Sequence, residues 1–490
     1  MSTRRALFFS FLDRYAALAL NIVSSMFIAR LLTPKEIGVF SVTMVLIMLL
    51  SAMRDLGAGQ YLLQEKELTP DRIRATWAVL LITGAVMGVV VLAMAYPASV
   101  FYSEPRMLPI MGVIAFNFLI SPFGSLTYAW LMREMKFESL AVMRFGSSLA
   151  GALTSIWLAY KHYGPISLAW GSLVATAVNA ALAGRYRPVD FGWMPGLKEV
   201  RRVLSFGSKI AASGVTSTLA KGAPELFLGR MQGLTEVGLY SRGYGLSAMF
   251  HRLVVDATQS VAMPLFSKTQ REVGRIDQPF LQASSYVTAL GWSFFVGLGV
   301  LAYPLTRALY GWQWDSSVAV TRWLALGTAL ALPAAMCPQA LLAKGQAADM
   351  LKITLSTVLV QIVLIGLGAA YSLECAAIGF TLSQAMGTAI WLSACKRAID
   401  FRWRELVSEL VRSGGVCAVT SASPIALVLA WGWRPSNSIL TLLIALVAGC
   451  ALFAGAAWGF KHPIFGELRR IADHMRERAQ SARTSLQDRR

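Results

Sequence analysis

The sequence predicts an all-α polytopic membrane protein of about fourteen transmembrane helices, arranged as two parallel six-helix repeats plus two extra C-terminal helices. Three observations carry this expectation. The 490 residues are 56% hydrophobic and 14% charged, against about 25% charged in soluble domains, which leaves too few charges to cover a globular surface. Apolar runs of about 20 residues, enough to cross a bilayer as a helix, recur from end to end. Finally, Ala29-Arg30-Leu31-Leu32-Thr33-Pro34-Lys35-Glu36-Ile37-Gly38-Val39-Phe40-Ser41 is echoed without a gap by Gly229-Arg230-Met231-Gln232-Gly233-Leu234-Thr235-Glu236-Val237-Gly238-Leu239-Tyr240-Ser241.

In chain order the apolar segments lie near 9–31, 36–56, 75–96, 107–131, 139–160, 165–184, 203–228, 237–263, 281–310, 318–343, 351–371, 375–395, 412–432 and 437–460. Span 1 follows Arg4 and Arg5, and Asp13 and Arg14 interrupt it. It therefore reads as a retained helix behind a basic cytoplasmic flank, not as an export signal. The first copy of the repeated string joins spans 1 and 2, and the second joins spans 7 and 8. The number of spans between the copies is even, so both halves start on the same membrane face and the repeats are parallel. Both strings are expected to be turns at the outer face, with Gly and Pro fixing the reversal and Arg30 and Arg230 on the same side. Span 4 holds Pro122 and ends at Arg133; span 10 echoes it with Pro333 and Lys344. Spans 13 and 14 fall outside the repeat. The chain thus divides into a lobe over 1–200, a lobe over 201–400, a helix pair over 401–462 and a basic cytoplasmic tail over 463–490, lying on anionic lipid.

A net charge of +19 would suggest nucleic acid in a soluble protein. Here the basic residues gather in loops on one side, at Arg72/Arg74, Arg133/Lys136, Arg185/Arg187, Arg201/Arg202, Lys396/Arg397 and the tail. This is the positive-inside pattern; it places both termini in the cytoplasm and makes a nucleic-acid partner unnecessary. The opposite loops, 102–105, 160–164 and 432–435, are short. The five cysteines are scattered and form no C-x-x-C, so neither a disulfide framework nor a metal site is expected. No G-x-x-x-x-G-K-[ST] or H-E-x-x-H occurs, and no catalytic residues are expected.

Charge at bilayer depth is costly and normally faces a partner or a water-filled cavity. Such residues cluster in spans 1, 7 and 8. Span 1 places Arg14, Leu18, Asn21 and Ser25 on one helical face, with Asp13 adjacent. Span 7 carries Lys209, Ser213, Ser217, Lys221 and Glu225 at steps of four, and Pro224 should bend it. Span 8 carries Arg242, Gly245, Met249, Arg252, Asp256 and Gln259 on one continuous face. Cations exceed anions in this set, which suits an anionic substrate with a sugar-like body. Arg14, Lys209, Lys221, Arg242 and Arg252 are the candidates to hold a pyrophosphate or acidic sugars. Asn21, Ser25, Ser213, Ser217 and Gln259 are the candidates to meet hydroxyls. Asp13, Glu225 and Asp256 suit proton or sodium coupling, and equally suit structural counter-ions, since Lys221/Glu225 and Arg252/Asp256 are i,i+4 pairs. No other cofactor is expected. Lys209, Lys221, Arg242 and Arg252 have no cationic counterparts in the first half, so the cavity should be electrically lopsided toward the second.

The stretch from Arg5-Ala6-Leu7 through the first copy of the repeated string resembles the opening of the polysaccharide transporter family, which includes the O-antigen and exopolysaccharide flippases called Wzx. That family lies in the multidrug/oligosaccharidyl-lipid/polysaccharide exporter superfamily. Phe123-Gly124-Ser125-Leu126, the stretch from Leu131 to Phe137, and Val261-Ala262-Met263-Pro264-Leu265-Phe266-Ser267 are similar to the same family. The resemblance implies a bacterial inner-membrane flippase that moves undecaprenyl-pyrophosphate-linked oligosaccharide repeat units for lipopolysaccharide or exopolysaccharide synthesis. Two lobes would form a V around a cationic cavity and work by alternating access, with membrane lipid around them and a polysaccharide polymerase and chain-length proteins as partners. A multidrug/cation antiporter, a lipid II flippase of the same superfamily, and a non-transporting scaffold of a polysaccharide-assembly complex are the alternatives.

Overall fold

The computed structural model describes residues 3–54, 61–62, 65, 67–188, 191–192, 194–200, 218–431, 438–467 and 469–470, and no strand occurs among them. The chain divides into two compact units, Met1–Ser241 and Arg242–Arg490. Among the described residues, ten helical segments are long and apolar enough to cross a membrane. The four further spans expected from the sequence, 1, 5, 7 and 8, have definite reasons to fall short. The apolar stretch found in span 1 is Tyr15–Leu31, and span 7 lies largely in 201–217, outside the described residues. Span 5 is diluted by Arg144 and a run of Ser and Gly, and span 8 by Arg242, Arg252 and Asp256.

The first unit contains α1 (Thr3–Leu31), α2 (Pro34–Arg54), α3 (Pro70–Phe101), α4 (Met107–Arg133), α5 (Phe137–Tyr160) and α6 (Ile166–Tyr186). Helix α7 spans 218–231 and runs unbroken through Pro224. Helix α8 (Leu234–Phe250) begins in this unit and carries the boundary. Both copies of the repeated string are helix-turn-helix joints, α1 to α2 and α7 to α8. In the first copy, Thr33 and Glu36 form a capping box: the Thr33 N–H donates to Glu36 Oε2 at 2.8 Å, and the Glu36 N–H donates to Thr33 Oγ1 at 3.3 Å. Pro34 takes the first helical position, where a missing N–H costs nothing. Gly233 sits in the α7–α8 turn at φ 105°, in a conformation that favours glycine, whereas the shared Gly38 and Gly238 lie inside helices and do a different job. A methyl on Gly38 would strike the carbonyl of Leu234, and one on Gly238 would strike the carbonyl of Pro34. The two copies therefore cross backbone to backbone, each glycine admitting the start of the other helix. Gly222 and Gly229 continue the theme, bringing α7 against Val45 and Val42 of α2.

Charged residues tie the loops at both ends of this unit. Buried Glu104 accepts from Arg106 Nε at 2.7 Å and lies 3.5 Å from Lys35 Nζ, which joins the 102–106 loop to the repeated string. The Arg106 hydrogen bonds hold the Glu104 carboxyl below the usual carboxylate range. At the other end, one Arg133 nitrogen donates to the carbonyls of Leu62 and Glu65, both at 2.6 Å. Arg187 donates to the carbonyls of Phe191 and Gly192, and its guanidinium lies 5.0 Å from the ring centre of buried Trp77. These basic loop residues thus also bind backbone, beyond any charge bias they supply. Within the helices, Asn117 donates to Ser172 at 2.8 Å, joining α4 to α6.

The second unit continues span 8 through a π turn (His251–Val255) into α9 (Asp256–Val273). Then come α10 (Asp277–Val300), α11 (Ala302–Leu309), α12 (Ser317–Ala331), α13 (Cys337–Ala343), α14 (Ala347–Tyr371), α15 (Leu373–Ile399), α16 (Trp403–Trp431) and α17 (Ser438–Gly459). The last two helices are fastened to α10 by a buried polar cluster. His462, just past α17, lies 2.9 Å from Ser285 Oγ and 3.1 Å from Ser413 Oγ. Ser285 donates to Glu409 at 3.0 Å, and Thr288 donates to Ser413 at 3.1 Å. The Ile464 N–H donates to His462 Nδ1 at 3.2 Å. Nδ1 is therefore the acceptor, and the neutral ring carries its proton on Nε2. Phe280 of α10 also stacks on Phe401, just before α16.

Candidate functional site

Span 10 does not run as one helix. Pro333 and Pro338 lack an N–H, so the carbonyls four residues earlier lose their helical donors. The chain passes from α12 through a single 3₁₀ turn (Leu332–Ala334) into α13. Neighbouring side chains meet the carbonyls around the break. Trp292 Nε1 donates to Ala329 O, Thr388 Oγ1 to Leu330 O, and Gln259 Nε2 to Ala335 O, each at 2.9 Å. By contrast, α4 runs unbroken through Pro122, the proline expected to correspond to Pro333. Span 10 differs in carrying a second proline, Pro338, in the first turn of α13.

A cavity of about 250 Å³ opens beside this break. Gln259 enters it from α9, Thr357 and Gln361 from α14, and Gln384, Thr388 and Trp391 from α15, with His251 in the π turn at its edge. No carboxylate, lysine or arginine is among its lining residues, and His251 is the one ionisable group there. Broken helices and π turns recur at ligand sites in membrane proteins because they free backbone groups and re-aim side chains.

The expected face of span 8 is divided among different surroundings. The half-buried Arg242 places its guanidinium 5.5 Å from the ring centres of Tyr310 and Trp314, and its Nε is enclosed without a hydrogen-bond partner. The π turn adds local rotation, so the face is not continuous. Arg252 is exposed. Asp256 lies 3.6 Å from His251 Nε2. Gln259 alone of the set lines the cavity. In α7, Lys221 is exposed and Glu225 half-buried, and no ion pair joins them among the described residues. In α1, Asn21 is exposed and Ser25 donates to the carbonyl of Ile22 at 2.8 Å. Asp13 and Arg14 fall in α1 at positions whose side chains are outside the described set, as are Lys209, Ser213 and Ser217 entirely. Tail residues beyond 470 are also outside it.

Gln361, Gln384, Thr388 and Trp391 did not emerge from the sequence. The available signal was a lone carboxamide within each of two apolar spans, Gln361 and Gln384. A search guided by charge passes over uncharged amides.

The chain matches the model of a family described as polysaccharide biosynthesis protein over residues 27–319. It is 23% identical over 314 residues to the lipopolysaccharide biosynthesis protein WzxC of Escherichia coli (strain K12), covering 63% of each chain. It is 23% identical over 326 residues to the succinoglycan biosynthesis transport protein ExoT of Rhizobium meliloti (strain 1021), covering 66% of each. The match thus spans about two thirds of the length of these relatives. In fold the chain is similar to the lipid II flippase MurJ in an inward closed conformation, with a TM-score of 0.73 at 13% identity, over 92% of this chain and 99% of that one.

Proposed function

The chain belongs to the polysaccharide biosynthesis protein family, and on that premise we propose that it is a flippase for undecaprenyl-pyrophosphate-linked oligosaccharide repeat units. The observation that carries this reading is the pairing of that family match with a flippase fold over nearly the whole chain. The reading places the protein in the bacterial inner membrane as fourteen spans, six plus six plus two, with both termini in the cytoplasm. The lipid-linked glycan crosses by alternating access, drawn by the excess of cations over anions in spans 1, 7 and 8. Proton or sodium coupling through Asp13, Glu225 or Asp256, and assembly with a polymerase and chain-length proteins, belong to the same proposal.

The test is transport of a fluorescent undecaprenyl-pyrophosphate-linked oligosaccharide in proteoliposomes, read as protection from a membrane-impermeant quencher. Wild-type protein should move it, while Lys221→Ala and Arg252→Ala should insert normally and slow transport at least tenfold. Wild-type rates in both variants would remove these residues from the mechanism; no transport by the native chain would remove the flippase reading. The fold likeness to MurJ favours lipid II as the second substrate to try. Arrest of cell-wall synthesis on depletion would favour that substrate over a surface polysaccharide unit.

A further inference from the structure

We propose that the carboxamide-lined cavity of the second unit is a subsite for one neutral sugar ring of the cargo. The inference rests on the flippase reading and adds where a glycan unit is recognised.

Three features carry it. The first is cost: three glutamines, three threonines and Ser383 converge within a unit made of membrane-crossing helices, where each uncompensated polar group costs several kcal/mol. Part of that polarity serves the fold. Gln259 uses its amide nitrogen on Ala335 O and Thr388 its hydroxyl on Leu330 O, while Thr328, Thr357 and Ser383 donate to carbonyls of their own helices. Gln384 has no such assignment among the described contacts, so its carboxamide is left for an occupant.

The second feature is chemistry. Amides and hydroxyls both donate and accept, which matches a ring of hydroxyl groups. Trp391 adds a flat apolar surface for the C–H face of a pyranose. The lining offers no lysine or arginine for a pyrophosphate and no carboxylate to balance a metal ion or an organic cation. The third feature is size. At about 250 Å³ the cavity holds the volume of about eight waters and lies below the usual range of about 300–1,000 Å³ for drug-sized ligands. It accommodates one ring, not a repeat unit.

A site that hydrogen-bonds hydroxyls discriminates against analogues that lack them. The experiment therefore measures binding of radiolabelled methyl α-glucoside, methyl α-galactoside and methyl α-mannoside, with a deoxy analogue of each, to the full chain in nanodiscs. At least one glycoside should bind saturably and its deoxy analogue at least tenfold more weakly. Gln384→Leu should weaken binding about tenfold, Trp391→Ala should abolish it, and Trp391→Tyr should retain most of it. In proteoliposomes, Gln384→Leu should raise the half-saturating concentration of the glycosylated carrier and leave binding of sugar-free undecaprenyl pyrophosphate unchanged. Equal weakening toward both carriers, no glycoside bound by the native chain, or stabilisation by sodium over potassium that depends on Gln384 would overturn the subsite. If the native chain binds a glycoside with this variant pattern but moves no lipid-linked glycan, the flippase reading fails and the subsite stands.

Discussion

A methyl group is a sharp probe of the two repeated glycines. Gly38→Ala places a carbon against the Leu234 carbonyl, and backbone cannot yield as a flexible side chain can. The expected cost is about 1–3 kcal/mol, read as a lower midpoint of thermal unfolding in detergent. Gly112 of α4 is the matched control, because nothing lies within 4 Å of the point a methyl would occupy there. Gly112→Ala should raise stability by about 0.5–1 kcal/mol through helix propensity alone. A midpoint for Gly38→Ala as high as that of Gly112→Ala would show that the two strings do not cross closely. Thr33→Ala removes the capping hydroxyl from α2 and should cost about 1 kcal/mol.

The C-terminal helix pair, α16 and α17, is held by an element-level device whose pH dependence has a definite sign. Burial pushes the His462 ring below the ordinary histidine value, and the negative Glu409 opposes this only in part. The unfolded chain therefore binds a proton more readily than the folded one, and stability rises with pH. The contribution is present above the unfolded value of about 6.5 and is lost as pH falls below it. The thermal midpoint should drop between pH 7 and pH 5, and His462→Gln should flatten that slope. An unchanged slope in the variant would assign the pH effect elsewhere. None of this cluster was visible in the sequence, because Ser285, Ser413 and His462 are separated by 128, 49 and 177 positions pairwise. A dispersed histidine acquires meaning only when helices pack. The π turn was hidden for a different reason: one extra residue per turn leaves the apolar and polar spacing of span 8 looking like an ordinary helical face. Pro333 was visible, but the donors that Trp292, Thr388 and Gln259 supply to the carbonyls around it come from other helices and were not.

At the scale of the molecule, composition and run length made the all-helical membrane class legible, since both follow from the absence of water in the bilayer. The ten apolar spans were equally legible, while the polar spans 1, 5, 7 and 8 are the ones that composition alone does not certify. The repeated string was also legible, but its packing was not, because similarity between two strings does not say that they touch. That contact has a consequence for synthesis. Gly38 and Gly238 are 200 residues apart (238 − 38), and at roughly 5–20 residues per second the ribosome needs about 10–40 s to make the interval. Through that time α2 stands in the membrane with its crossing surface uncovered. A cysteine introduced at Val42, buried and set against Gly229 of α7 in the finished fold, should therefore react with a thiol reagent in nascent chains shorter than about 220 residues and become protected once α7 has emerged and docked.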